Sequence, residues 1–228
     1  MASRPVFVVN SKPPYYEVNN VEFTWSGGFA KSQSQKNITA LHNNFLADFP
    51  DNKILEISSK SFQELGTKLS AFSLTKFVPA LGADIPVECI YQGSKVFSNG
   101  GPFTDLYYKT PKEAKTDERL KNSGHLIGYR FGDFDYPLTD NFTFYDYIYI
   151  LALMENPDLS KELSQYSAFT DIIFTPNKSL NCQAKSAAIF TSLYNNGLLD
   201  CVSDFDKTVS LCGWLIIKIW LNVFCTLS

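Results

Sequence analysis

Histidine is scarce in this chain. Among 228 residues only His42 and His125 occur, and neither has a metal-ligand neighbour three or four positions on. A histidine-based metal site or a Ser-His-Asp triad is therefore not expected, and no cofactor is implied. The cysteines are few: Cys89, Cys182, Cys201, Cys212 and Cys225 are scattered, odd in number and never in a C-x-x-C pair. That pattern suits buried thiols in a reducing cytosol better than a disulfide framework or a zinc site. An excess of positive charge is also missing. The net charge of −3 excludes coating of nucleic acid by bulk electrostatics and leaves only a local basic patch for such contact. Neither G-x-G-x-x-G nor a Walker sequence is present, so Gly100-Gly101 reads as a turn. The start, MASRPVFVVNSKPPYYEV, has no basic region followed by a long apolar run, which points to a cytoplasmic location. The apolar stretch GWLIIKIWLNVFCTLS, 213–228, is interrupted by Lys218 and Asn222. It falls short of the about 20 apolar residues a bilayer span needs. It reads as a packed element or an appended tail, not a membrane anchor.

What the chain does have is core material, 45% hydrophobic and 15% aromatic residues. That suffices for one large domain, taken as 1–210 with a tail over 211–228. Helical periodicity dominates. Ile38, Leu41, Phe45 and Phe49 recur at three- and four-residue spacing up to Pro50, with Ser32 or Ser34 as candidate caps and His42 as a structural neighbour. Leu55 to Ile57 suggests a short strand, and Lys68 to Phe77 a hairpin arm with Gly82 in its turn. Pro86 suits the first turn of a helix over VECIYQGSKVF. One helix is predicted from Pro111 to Gly124, another from Asn141 to Pro157, a further one from Asp158, and a last from Asn181 to Asn196 closed by Gly197. The expected fold is mainly α, with short strands or a hairpin near a cleft.

The helix after Pro86 places Glu88, Gln92 and Lys95 within about 60° of arc. A solvated polar stripe accounts for such a pattern by itself. The wording around it adds a second reading. Glu88, Tyr91, Gln92, Lys95 and Phe97 resemble the E-h-[YF]-[FY]-Q-a-x-K-F signature of the NADAR superfamily, the YbiA-like N-glycosidases. Upstream, Gly66 to Phe72 (GTKLSAF) is similar to that family's Y-G-x-F-S-N-F segment, with Ala71 in place of Asn. Downstream, Tyr136-Pro137-Leu138 and Phe142, then Ile150 to Leu153, resemble its P-L-x-x-x-W and following helix, with Phe142 in place of Trp. LEISSKS, ECIYQGSKVF, GGPFTDLY and FTDIIFTPNKSLNCQA are similar to the wording of the NADAR antitoxins paired with DarT-type DNA ADP-ribosyltransferases. The resemblance covers about 54–190. The late D-x-x-W-G motif of the wider superfamily has no clean counterpart in DIIFTPNKSLN.

The resemblance implies hydrolysis of the N-glycosidic bond between ADP-ribose and guanine in DNA, in an antitoxin whose partner is a DarT-type toxin. Cleavage at an anomeric carbon passes through an oxocarbenium-like state that calls for a nearby carboxylate, and Glu88 can be that group. A lysine of lowered pKa can hold the sugar as a Schiff base; Lys60 and Lys95 are the candidates, with Lys60 favoured in its serine-rich loop. Ser70, Tyr91, Gln92 and Asp105 would orient ribose or base. Phe72 and Phe142 would wall the pocket, and Asp171 and Asn181 complete the substrate-binding set. Lys109, Lys112, Lys115, Arg119 and Lys121 form the candidate DNA patch, although Glu113, Asp117 and Glu118 interleave with them. Two other classes compete: a module that binds ADP-ribose or the toxin without catalysis, and a metabolic N-glycosidase acting on riboflavin-pathway intermediates.

Overall fold

A computed structural model describes residues 1–28, 30–140, 142–176 and 181–212. The apolar stretch 213–228 lies outside the described residues. The chain opens on an antiparallel hairpin, β1 (Ala2–Val9) and β2 (Tyr16–Phe23), followed by α1 (Lys31–Asp48) and β3 (Ile54–Glu56). Next come α2 (Glu64–Lys68), the hairpin of β4 (Thr75–Val78) and β5 (Ala83–Pro86), α3 (Val87–Gly93) and β6 (Lys95–Phe97). A 3-10 turn (Thr104–Tyr108) leads into α4 (Pro111–Thr116) and α5 (Arg119–Asn122). Then β7 (Leu126–Phe131) and β8 (Phe134–Tyr136) precede α6 (Phe144–Met154), α7 (Pro157–Leu163), β9 (Ala168–Thr170), α8 (Gln183–Asn195) and α9 (Phe205–Cys212).

The mainly α expectation is overturned. Among the described residues helix takes 45% and strand 21%, with three sheets, a mixed α/β composition. The largest sheet has the order β2-β1-β9-β3, and its last pair, β3 with β9, is parallel. Both of its faces are covered. Along β1, Val6 joins Phe23, Ile38, Leu41, Phe45 and Ala168 in one cluster, and Phe7, next in sequence, joins the larger cluster that includes α6 and α8. Alternating side chains of one strand thus feed two cores, as the twofold strand period dictates. Pro5 is tolerated because β9 pairs only with Phe7 and Val8 of β1, so its missing N–H costs that ladder nothing.

Several local expectations change with the fold. The first helix starts at Lys31, so Ser32 and Ser34 lie inside its first turn, and Ala30 before it supplies no side-chain cap. Lys68 closes α2, so the hairpin arm begins later, at Thr75, with Gly82 in the left-handed turn as expected. The predicted helix 111–124 is two short helices, separated where Asp117 adopts an extended backbone and accepts from Arg119 N. The stripe helix stops at Gly93; Lys95 opens β6 and does not lie two turns down a helix.

Candidate active site

The parallel pair β3 and β9 organises the site. Ligands of open α/β sheets bind beyond the carboxyl ends of strands. Here the loop 58–61 carrying Lys60 leaves the end of β3, and Asp171 follows the last residue of β9. Lys60 is half-buried, and its backbone N–H donates to Ser58 Oγ at 3.1 Å. Asp171 is half-buried, and its Oδ1 accepts from Ile173 N at 3.0 Å and Phe174 N at 3.2 Å. Burial, then the neighbouring Glu56 charge, pushes the Asp171 carboxyl well above the usual carboxylate range.

Gln183, the first residue of α8, ties this end of the sheet to Glu88. Its Nε2 donates to Ile57 O at 2.6 Å and its Oε1 accepts from Ala71 N at 2.8 Å; Ala71 O in turn accepts from Glu88 N at 2.9 Å. The residue before Ser58 and the start of α3 are therefore joined through one side chain. Gly66 closes the same region: a Cβ there would lie 2.0 Å from Glu56 O and 2.4 Å from Ser61 Oγ. That close approach explains the glycine by packing, without reference to backbone angle.

Glu88 is not on a solvated stripe. It is 4% exposed and Gln92 6%, so the polar side of α3 faces inward. Gln92 Nε2 donates to Glu88 Oε1 at 2.8 Å, one helical turn away, and Lys95 Nζ donates to Gln92 Oε1 at 2.7 Å. Lys115 Nζ approaches Glu88 Oε1 to 3.5 Å and lies 5.3 Å from the Phe72 ring centre. Both contacts fall on Oε1, and Oε2 accepts no hydrogen bond among the described residues. Lys95 sits 4.5 Å from the Tyr91 ring centre. Burial lowers its pKa to about 8, and Lys115 adds to the shift while Glu88 opposes it. Cys89 is no nucleophile: burial, then the Glu88 charge, pushes its thiol up to about 11.

Asn181 and Tyr91 belong to the same assembly. Asn181 Nδ2 donates to Tyr91 Oη at 2.5 Å, and its Oδ1 accepts from Thr143 Oγ1 at 3.0 Å. Thr143 caps α6 through a reciprocal pair with Asp146, whose carboxylate also meets Lys185 Nζ at 2.9 Å and accepts from Ser186 Oγ at 2.7 Å. Tyr91 is held among Tyr129 and Tyr145, 5.6 and 5.1 Å between ring centres.

The structure thus brings Glu88, Gln92, Lys95, Tyr91, Asn181, Phe72 and Lys115 into one connected cluster. Others stand apart. Phe142 is fully buried against Phe205. The Ser70 hydroxyl donates to Thr67 O within its own turn. Asp105 forms a two-point pair with Arg119, which also holds Asp117, so neither is a free charge. Lys109, Lys112 and Lys121 are exposed. Residue reasoning missed Gln183 and Glu56, although both stand in the segments NCQA and LEISS that carried the resemblance. It also placed Lys115 only with DNA. Among the described residues, no group of three or more His, Cys, Asp and Glu could hold a metal ion, and no helix is long and apolar enough to cross a membrane.

A family model described as DarT1-associated NADAR antitoxin matches residues 2–214. The chain belongs to that family. The match reaches well before Ile54, so β1, β2 and α1 are part of the NADAR antitoxin unit and not an extension of it. No curated protein matches the chain.

Proposed function

We propose that this NADAR antitoxin hydrolyses the N-glycosidic bond between ADP-ribose and guanine bases in DNA, reversing the modification made by a DarT1-type toxin. The observation that carries the reading is the buried Glu88 carboxylate, held on one oxygen by Gln92 and Lys115 and open on the other. Fixed charge of this kind in a dry site stabilises an oxocarbenium-like transition state far better than it would in water. Lys60, on the loop beyond β3, is the nucleophile. Its amine nitrogen forms a bond to C1 of the ribose as the C1–N bond to guanine breaks, and one of the two protons on the newly bonded lysine nitrogen passes to the departing guanine nitrogen. The ring C–O bond then opens as the lone pair of the lysine nitrogen forms the C=N bond; the electron pair goes to the ring oxygen, which takes up that nitrogen's remaining proton. Water hydrolyses the resulting imine to release ADP-ribose and the free amine. Lys95 and Gln92, in the same hydrogen-bonded chain as Glu88, hold the sugar hydroxyls beside it, with Tyr91 and Asn181 next to them. Phe72 presents an exposed ring for a base, and Asp171 serves at the opposite edge. Lys115 carries positive charge at the cleft, with Lys109 and Lys112 outside it for the DNA backbone.

The test is release of ADP-ribose from a guanine-ADP-ribosylated oligonucleotide. Glu88→Gln keeps size and removes charge, so kcat is expected to fall by about 10²- to 10³-fold while binding persists. Lys60→Ala is expected to fall comparably, with borohydride trapping a covalent adduct only when Lys60 is present. Full activity in both variants, or an adduct mapped to Lys95, refutes the assignment. In cells expressing the toxin, folded Glu88→Gln protein is expected to give no protection. Protection by that variant would show neutralisation by contact instead.

A further inference from the structure

We propose that Glu56 is a positioning residue for this reaction: its buried carboxylate fastens the loop carrying Lys60 to the segment that begins at Asp171. The inference rests on the catalytic reading above for its kinetic consequence, and on geometry alone for the fastening itself.

Glu56 ends β3 and is paired with Thr170 of β9 across the parallel ladder. It is 2% exposed, between the fully buried Leu55 and Ile57. Its Oε1 accepts from Ser58 Oγ at 2.7 Å and from Ile172 N at 2.9 Å, and its Oε2 accepts from Thr170 Oγ1 at 2.5 Å. Ser58 has one proton, and giving it to Glu56 leaves its oxygen turned to accept Lys60 N. Ile172 follows Asp171 directly. One carboxylate thus sets the first turn after β3 and the first turn after β9, one residue from Asp171 and, through a single hydroxyl, at Lys60 itself. Thr170 extends the contact into the sheet, where its Oγ1 lies 2.8 Å from His42 Nε2.

Stability alone gives little reason for an acid here. Burying a carboxylate is costly, and an apolar residue of similar volume is often as stabilising or more so. Burial does push the Glu56 carboxyl up, opposed by its three hydrogen bonds. What the acid supplies is several acceptor sites at one point, which no apolar side chain offers. Catalytic groups held by such a supporting layer lose rate when they drift by about 1 Å, even with the reacting groups intact.

The test compares wild type, Glu56→Ala, Glu56→Gln and Ser58→Ala by steady-state ADP-ribose release and by hydrogen exchange at the Lys60 and Ile172 amides, all well below each variant's melting temperature. Glu56→Ala is expected to lower kcat by about 10²-fold with little change in KM, and to speed exchange at both amides. Ser58→Ala removes only the Lys60 arm, so Lys60 exchange should quicken and kcat fall while Ile172 stays protected. Glu56→Gln keeps an oxygen for Ser58 and Ile172, and its amide can donate to Thr170, whose proton can turn to His42. It should therefore stay within roughly threefold of wild type in kcat. Unchanged exchange at both amides in Glu56→Ala overturns the proposal, as does a Glu56→Gln variant as slow as Glu56→Ala, because charge and not fastening would then matter. Should Glu56→Ala fail to fold, Ser58→Ala decides. A wild-type protein that releases no ADP-ribose defeats the catalytic reading alone, and the exchange data still judge the fastening.

Discussion

Lys95 shows how far a single residue departs from its place in the sequence. Periodicity put it on a helix below Glu88, yet the helix ends at Gly93 and Lys95 reaches Gln92 from the first position of a strand. The triad was legible as residue types at a spacing; its burial was not, because a polar stripe looks the same facing water or a cleft. That burial has a measurable consequence. Lys95 has its pKa lowered from the usual 10.5 to about 8. Between those values the unfolded chain holds the proton and the folded protein does not, so stability rises with pH across this window. Below it, the buried charge works against folding in full. Relative to Lys95→Met, the wild type is expected to gain up to about 3 kcal/mol from pH 8 to pH 10.5, read by urea unfolding at each pH. A constant difference between the two proteins would show that Lys95 is not desolvated.

At the scale of elements, what decides the site is where segments approach one another, and close approach leaves a faint mark in one sequence. Gly66 reads as an ordinary glycine in GTKLSAF, but it lets α2 lie against β3 and the Lys60 loop. Gly66→Ala would drive a methyl group to 2.0 Å from a backbone oxygen that cannot swing away. A loss of about 1–3 kcal/mol is expected from such overpacking, together with reduced activity because the same strand ends at Glu56. Gly27, with nothing within 4 Å of an added Cβ and no left-handed backbone, is the matched control: Gly27→Ala should leave the melting temperature unchanged. The longer helices were legible because their apolar residues repeat every three to four positions: α1, α6 and α8 lie within two or three residues of expectation. Among the three-residue strands, β3 was marked by Leu55 to Ile57 within one residue of its place, whereas β6, β8 and β9 are too short for a twofold period to register. β2 buries only Phe23 and shows no apolar face.

Across the whole molecule, the N-terminal hairpin is the part that sequence reasoning undervalued. The wording that resembled NADAR proteins spans about 54–190, which invites the view that residues before it are dispensable. The sheet argues otherwise. β1 is an interior strand, paired with β2 on one side and β9 on the other, and Asp171 follows β9 directly. Val6 and Phe7 enter two different cores, and Ser192 Oγ of α8 donates to Asn10 O at 2.5 Å. With β1, β2 and α1 gone, β9 would become an edge strand, and Ile172 and Ala168 would lose the cover of Phe23, Ile38, Leu41 and Phe45. A chain beginning at Asp51 is therefore expected to show no cooperative thermal transition and no ADP-ribose release, although it keeps Lys60, Glu88, Gln92 and Lys95. A chain from Asp51 that unfolds cooperatively and turns over substrate would show that the four-stranded sheet does not hold the site, and the joint support of Lys60 and Asp171 by β3 and β9 would have to be abandoned with it.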